Sequence, residues 1–320
     1  MTTWTAWMRT VGLVVLAACG TPDGALDLFV EAEESIVAGV EAGTGADDLR
    51  DGWTASFDRY VVVLGEIELQ LATDADVRSG LPGLVALDLA AIAPGGEPFG
   101  AVQTQAGRYE VRYRQSSARG ATNHGVATAD FEEMVAGDCT YLVSGSITHP
   151  EGRSCPSSLG DVPSDRTPDA DGCFPARAVS FRWCAAAPAV FGPCQSENGP
   201  SGVAVTEGGA IASLTIHGDH LFFNGFPEGE EGGIVRLAQW IADADLDLDG
   251  EVTRAELERI ALADVVEFDG RYALGGAPPL PNLPGESTPE PMDDLWSYVR
   301  AQLRTQGHFN GEGECPVDTE

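Results

Sequence analysis

The stretch WTASFDRYVVVLGEIELQL, residues 53–71, has the clearest β pattern in the 320-residue chain. Toward its end, three apolar side chains alternate with three polar ones: Ile67, Leu69 and Leu71 with Glu66, Glu68 and Gln70. A period of two places apolar side chains on one face of a sheet and polar side chains on the other. We therefore expect a long strand here, with one face on a core and one in water.

Other segments resemble this one and are separated by stretches rich in Gly and Pro. They are residues 25–31, 84–89, 108–114, 140–148, 179–184 and 212–216, with one short helix at 127–136. Short strands at this spacing are typical of antiparallel sheets. We predict an α+β fold in which an antiparallel β-sandwich over residues 25–230 precedes a small helical region over residues 231–320.

The change to helices is visible beyond Pro227, where apolar residues begin to recur at a period of 3.6. Such spacing occurs over residues 234–241 and again over residues 257–265. A proline-rich connection follows, and a last helix is predicted over about residues 292–303, with a start signal at Thr288. These helical segments flank the most distinctive loop of the chain.

That loop is DLDLDGEVTRAE, residues 245–256. It resembles the calcium loop of an EF-hand, in which about six to eight oxygen ligands converge around a sharp bend at a glycine, here Gly250. A register starting at Asp243 would place Leu248 at the bend and Arg254 at the last ligand position, so only the later register fits. The resemblance implies a Ca²⁺ cofactor held by Asp245, Asp247, Asp249, the Glu251 carbonyl, Thr253 and a bidentate Glu256.

A single such loop is unusual, because EF-hands generally occur in pairs. Val252 would form the short strand that a second loop normally covers. We expect this strand to pair with the sandwich, with another loop or with a second molecule. The metal would then have a structural role.

The charge excludes some classes of function. Fifty acidic residues against 18 basic ones give a net charge of −32, and the basic residues are all arginine. Nucleic acid is an unsuitable partner, because binding to phosphates depends on basic patches. The absence of lysine also excludes P-loop and Schiff-base chemistry.

The first residues predict export. Arg9 precedes a short apolar run, and the segment ends in Leu16-Ala17-Ala18-Cys19-Gly20, which resembles the lipobox of bacterial lipoproteins. The resemblance implies a signal peptide over residues 1–18, lipidation of Cys19, a tether over residues 19–24 and a membrane as partner. Gly20 after the cysteine favours the outer membrane. No protein partner can be named from the sequence.

The remaining cysteines are six in number: Cys139, Cys155, Cys173, Cys184, Cys194 and Cys315. An even number in an oxidising compartment predicts three disulfides, for which fifteen pairings are possible. The cysteines lack the close spacing of a zinc knuckle.

His217 and His220 form a second constellation, three residues apart beside Asp219. Imidazoles suit Cu²⁺ or Zn²⁺. In a continuous strand the two side chains would point to opposite faces, so a shared metal requires the chain to bend at Gly218 and Asp219. An envelope copper- or zinc-binding protein is therefore the alternative to the calcium protein.

Signatures of catalysis are missing: the sequence has no G-x-S-x-G, no H-E-x-x-H and no S-x-x-K. We predict a binding protein, with an exported enzyme of unknown substrate as a further alternative. The segment around His217, followed by the acidic loop, is similar to uncharacterised bacterial envelope lipoproteins.

Overall fold

The computed structural model describes residues 23–160, 162–197, 199–226, 234–269 and 292–317. The predicted signal peptide, Cys19 and Thr288 lie outside these residues. Within the described ranges, no helix is both long and apolar enough to cross a membrane.

Strands dominate the described part of the chain. In chain order they are β1 Asp23–Ala32, β2 Thr54–Leu71, β3 Arg78–Asp88, β4 Glu97–Gln105, β5 Gly107–Gln115, β6 Thr122–Asn123, β7 Tyr141–Thr148, β8 Arg153–Ser154, β9 Phe174–Pro175, β10 Ala178–Ala185, β11 Ala189–Phe191, β12 Val203–Val205, β13 Ala210–Ile216, β14 Glu251–Val252, β15 Gly307–Phe309 and β16 Gly313–Glu314. The predicted strands correspond to β1, β2, β3, β5, β7, β10 and β13, whereas β4 and the C-terminal strands were not expected.

The helices are short. They are α1 Glu34–Ala38, α2 Thr128–Gly137, α3 Gln239–Asp243, α4 Arg254–Leu257, α5 Leu262–Asp269 and α6 Leu295–Leu303, with 3₁₀ turns at Leu89–Ala91 and Asp219–Phe222. The last helix begins later than predicted, because Asp294 caps it and accepts a hydrogen bond from Ser297 N at 2.7 Å. The β-rich α+β class is confirmed.

Two larger sheets contain most of the strands among the described residues. One is five-stranded, in the order β16-β15-β13-β1-β4. The other is nine-stranded, with the path β11-β5-β2-β7-β10-β14, and β3, β6 and β12 join it at its side. A separate pair is formed by β8 and β9.

An antiparallel sandwich was predicted; most neighbouring strands of the described residues pair antiparallel, but three pairs are parallel. β1 pairs in parallel with β13, from Leu26 opposite Ala210 to Ala32 opposite Ile216. β3 and β6, and β10 and β14, are also parallel. Parallel neighbours require a long crossover connection, and β1 and β13 are separated by most of the chain. Alternation within one strand reports its wet and dry faces and does not report the direction of its neighbour.

β2 lies at the centre of the nine-stranded sheet. Residues Val61 to Leu64 are all 0% exposed, so this part of the strand is buried on both faces rather than on one. Val62 and Leu64 face the main core, while Val61 and Val63 pack in a smaller cluster with Met134 of α2. A helix therefore covers the face that was predicted to be wet.

The C-terminal elements share the main core with the strands. Trp240 of α3, Val252 of β14 and Tyr298 of α6 belong to the same buried cluster as Tyr60 and Trp183. The division at residue 230 stays a prediction. Three disulfides occur among the described residues, as predicted, and they join Cys139 to Cys184, Cys155 to Cys173, and Cys194 to Cys315.

Candidate metal centre

The candidate site lies at the edge of the five-stranded sheet where two parallel strands end. β1 ends at Ala32 and β13 at Ile216, and these residues are opposite each other. Because parallel strands bring their carboxyl ends to the same edge, the residues that follow, Glu33 and His217, lie close together. The amide of Glu33 donates to Ile216 O at 3.0 Å, which fixes the two ends to each other.

The chain bends after His217, as a shared metal would require. The strand stops at Ile216, and a 3₁₀ turn over Asp219–Phe222 follows Gly218. The turn places the His217 and His220 rings with their centroids 5.7 Å apart and their planes at 69°. The two histidines predicted from the sequence are thus brought together, on the same side of the chain.

A third histidine, His308, completes the cluster. It lies on β15, where it is paired with Thr215 of β13. Its ring stacks on that of His217 at 3.7 Å and meets that of His220 edge-on at 5.2 Å. One ring nitrogen from each of the three residues lies within 4.8 Å of the other two. The sequence contained no local signal for His308, because its place depends on pairing between distant strands.

Two of the three histidines are shielded from water. His217 and His220 are 2% and 3% exposed. Burial, reinforced by the neighbouring His217 and His220, lowers the pKa of His308 to about 2, so this ring is neutral at any physiological pH. Neutral imidazole is the form that binds metal ions. The orientation of His220 is fixed by a 2.9 Å hydrogen bond between its Nδ1 and Thr305 Oγ1.

Asp219 stabilises the turn that carries His220. Its Oδ2 accepts a hydrogen bond from Arg236 Nε at 2.7 Å, and Arg236 also donates to Ala46 O at 2.7 Å. Burial alone would raise the pKa of the Asp219 carboxyl, but His220, Arg236 and His217 together hold it below its usual range. The carboxylate is therefore charged and ion-paired beside the cluster.

The acidic loop lies elsewhere, between α3 and α4. Carboxylate oxygens of Asp245, Asp247 and Glu256 lie within 4.8 Å of one another. The bend falls at Gly250, with a φ of 90°, which is a conformation that favours glycine. Asp249 donates its amide to Asp245 Oδ1 at 3.1 Å, and its own carboxylate accepts from Glu251 N at 2.8 Å. The three-residue group is a subset of the six predicted calcium ligands.

Glu256 and Thr253 also have a structural role in this loop. Thr253 caps α4, and its amide and hydroxyl each donate to Glu256 Oε2 at 2.8 Å. The other Glu256 oxygen accepts from Leu246 N at 2.9 Å. Oε1 keeps a lone pair beyond its bond to Leu246, whereas Thr253 occupies both lone pairs of Oε2, so bidentate metal binding requires one of the Thr253 bonds to be released. Asp243, the alternative start of the loop, instead accepts from Cys155 N at 2.6 Å.

The electrostatics of the loop favour a cation. Burial, together with the carboxylates of Glu256, Asp249 and Asp247, raises the pKa of Asp245 to about 6. Concentrated negative charge of this kind makes the fully ionised loop costly without a cation.

The short strand of the loop pairs with the nine-stranded sheet. Val252 is opposite Phe181 of β10, and Trp183 Nε1 donates to Val252 O at 2.8 Å. The sequence left three partners open for this strand: the sandwich, another loop or a second molecule. In the structure the strand pairs with β10 of the same molecule.

The fold and the sites describe a β-rich, disulfide-bonded protein with three groups of potential metal ligands among the described residues, two of which share His217. No protein-family model matches the chain, and no curated protein matches it. Among solved structures it is similar to MbnP from Methylosinus trichosporium, at 13% sequence identity and a TM-score of 0.25. That match covers 62% of this chain and 77% of the MbnP chain. Because the similarity is so distant, the function proposed below rests on the residues of this chain alone.

Proposed function

We propose that the protein binds one transition-metal ion, copper or zinc, through His217, His220 and His308. The supporting observation is that one ring nitrogen from each histidine lies within 4.8 Å of the others, in a cluster in which His217 and His220 are buried. Imidazole nitrogens suit both ions, and three such ligands leave one position of a tetrahedral site open. Water or a donor molecule would occupy that position.

Binding requires a small rearrangement. A metal ion lies in the plane of each imidazole ligand, about 2.0–2.1 Å from its nitrogen. His217 and His308 are nearly parallel, with planes inclined by only 20°. One ion cannot lie in two separated, parallel planes, so the stacked rings must tilt toward each other at one edge.

Measuring the Cu and Zn content of the protein, purified without chelator, tests this proposal. We expect the protein to contain Cu or Zn, and we expect His220→Gln to reduce the amount bound. Gln keeps a hydrogen-bonding group for Thr305, so the turn should be retained. Protein that carries only Ca²⁺, before and after incubation with Cu or Zn, would contradict the proposal.

A second candidate function, calcium binding by the acidic loop, has independent support. The oxygens of Asp245, Asp247 and Glu256 converge, and the loop is anchored on the sheet through Val252. This arrangement favours the EF-hand ligand set predicted from the sequence, with Asp249, Glu251 and Thr253 completing it. Because the loop is anchored to the nine-stranded sheet through Val252 and Trp183, we infer a structural calcium ion.

Calorimetry with Ca²⁺ tests this second function. Glu256→Gln should abolish the binding heat, because the amide is neutral and offers one oxygen where the carboxylate offers two. Glu258→Gln is a matched control, since Glu258 is exposed and pairs with Arg254 outside the ligand group. Equal heats for the two variants would refute calcium binding at this loop.

The cellular setting is also a proposal. Three disulfides within the described residues are typical of a protein outside the cytoplasm. We propose that the two larger sheets pack as a sandwich around the main core. We also propose that Cys19 is lipidated and anchors the protein in the envelope. Cys19→Ser should release the protein from membranes, and retention of the variant would contradict the anchor.

A further inference from the structure

A cleft of about 790 Å³ opens beside the histidine cluster, at the edge where β1 and β13 end. Of the three clustered histidines, His217 alone is among the described residues that line it. Glu33 and Asp219 line it as well. The cleft therefore reaches the histidine cluster from the side of His217. The other residues that line it are not ligands of the proposed trihistidine site.

Two carboxylates meet beside an imidazole in this cleft. One ligand atom each from Glu33, His217 and Asp219 lies within 4.8 Å of the other two. Asp219 is only 3% exposed, its Oδ2 binds Arg236, and its side chain also forms a hydrogen bond with that of Glu33. Two carboxyl groups this close repel each other when both are ionised, and a cation bound between them would remove that repulsion.

The charge of the lining also favours a cation. Arg236 neutralises Asp219, but further acidic side chains line the cleft: Glu31, Glu34, Glu41, Asp47, Asp48 and Glu312. Charge of one sign in a concave surface raises the local concentration of oppositely charged ions. The cleft is therefore suited to attract small cations to the carboxylates.

We propose that Glu33, Asp219 and His217 form a second metal site, which binds a divalent cation such as Zn²⁺ from the cleft. Two carboxylates and one imidazole provide ligand types that Zn²⁺ accepts. Partners outside the ligand set orient both carboxylates, since Ser35 donates to Glu33 Oε2 and Arg236 to Asp219 Oδ2. The two proposed sites share His217, but His220 and His308 are not ligands of the cleft site, so it can bind metal when the trihistidine site is disabled.

Zinc titration of a His308→Gln variant tests the cleft site. This background lacks one ligand of the trihistidine site, and excess Ca²⁺ occupies the acidic loop. We expect the variant to bind one Zn²⁺. Adding Glu33→Gln should weaken this binding at least about tenfold, the scale on which even the outer partners of metal ligands act.

Glu34→Gln in the same background is the matched control. It removes the same charge from the adjacent residue, which lines the same cleft but is exposed and outside the ligand group. We expect a change of less than about twofold, as for an exposed charge. Glu33 and Glu34 substitutions with equal effects, or no Zn²⁺ binding to folded His308→Gln, would overturn the proposal.

The two metal proposals can fail separately. Should the trihistidine proposal be wrong, the chain with all its histidines would still lose Zn²⁺ on Glu33→Gln. Should the cleft proposal be wrong, Glu33→Gln and Glu34→Gln would be equivalent while the histidine variants still lost metal. Thermal melting establishes that each variant is folded, and His220→Gln provides a second background that must give the same result as His308→Gln.

Discussion

The rings of His217 and His308 stack with centroids 3.7 Å apart, although one residue follows β13 and the other lies on β15 near the end of the chain. The pKa of His308 is lowered to about 2, chiefly by burial, which keeps that ring neutral. A buried, stacked pair of imidazoles beside a third histidine is a costly use of polar side chains in a core. The proposed metal binding would give this arrangement a function.

Binding of a metal ion should change the NMR resonances of the two stacked rings. Because His217 and His308 must tilt to ligate one metal, adding Zn²⁺ should shift the ring-proton resonances of both in NMR spectra. His124 is exposed and pairs with Glu97, so its resonances serve as the internal control. Shifts at His124 without shifts at His217 and His308 would argue against the cluster as the binding site.

The Cys194–Cys315 disulfide should support the cluster from a distance. It closes a segment of 121 residues and holds the chain that follows His308 against Gln195, whose amide donates to Glu314 O at 2.8 Å. Replacing both cysteines by Ser should lower the free energy of unfolding by about 2–4 kcal/mol. We also expect weaker binding of Cu or Zn.

The Cys155–Cys173 pair provides the control, since it closes only 18 residues within a separate loop. Removing it should lower the stability less and leave the affinity for Cu or Zn unchanged. Calorimetric titration and denaturant unfolding measure both effects. Equal losses of affinity in the two variants would show that the Cys194–Cys315 bridge has no specific link to the cluster.

Glu33 should make the stability of chelator-treated protein depend on pH. Burial, followed by the charge of Asp219, raises the pKa of Glu33 from 4.5 to about 8, with Ser35 opposing the shift and Glu312 adding to it. The folded state therefore keeps a proton that the unfolded state releases, so stability should fall as the pH rises from about 4.5 to about 8.

Unfolding in urea at pH 5 and pH 8 measures this effect. Glu33→Gln should be less sensitive to pH than the parent protein, because its side chain does not titrate. Glu34→Gln should keep the parent's dependence. Parallel curves for the parent and Glu33→Gln would mean that the pKa of Glu33 is not raised in the folded protein.

Calcium should stabilise the fold modestly. Extracellular sites of the EF-hand type bind with Kd values of about 10⁻⁴ to 10⁻³ M, and a tenfold excess of Ca²⁺ over Kd contributes about 1.4 kcal/mol. Thermal melting with Ca²⁺ and with a chelator should show this difference for the parent protein and for Glu258→Gln, but not for Glu256→Gln. A calcium effect that survives Glu256→Gln would place the ion elsewhere.

The sequence predicted those features that depend on neighbouring residues. Alternation located β2 and β13, and the proximity of His217 to His220 predicted a pair that needed only a bend at Gly218. The sequence did not predict features that depend on pairing between strands far apart in the chain. His308 joins the cluster through the pairing of β15 with β13, and Glu33 reaches it through the parallel pairing of β1 with β13. Neither strand pairing can be predicted from the local pattern of residues.

The face of β2 that carries Val61 and Val63 illustrates the same limit. The alternating residues at 66–71 predicted a face in water, but α2 covers that face nearer the middle of the strand, at Val61 and Val63. A helix can cover any face that is sufficiently apolar, and the run Val61 to Leu64 is apolar on both. Local pattern therefore describes each strand better than it describes the layer above the strand.

The central claim is that His217, His220 and His308 together bind copper or zinc. Its most direct measurement is calorimetric titration of chelator-treated protein with Zn²⁺ and with Cu²⁺, in excess Ca²⁺ and in a Glu33→Gln background that disables the cleft site. His308→Gln should weaken binding at least about tenfold, the scale expected for disturbing a metal site, while His124→Gln should leave it unchanged. Equal affinities of the His308→Gln and His124→Gln variants would contradict the claim.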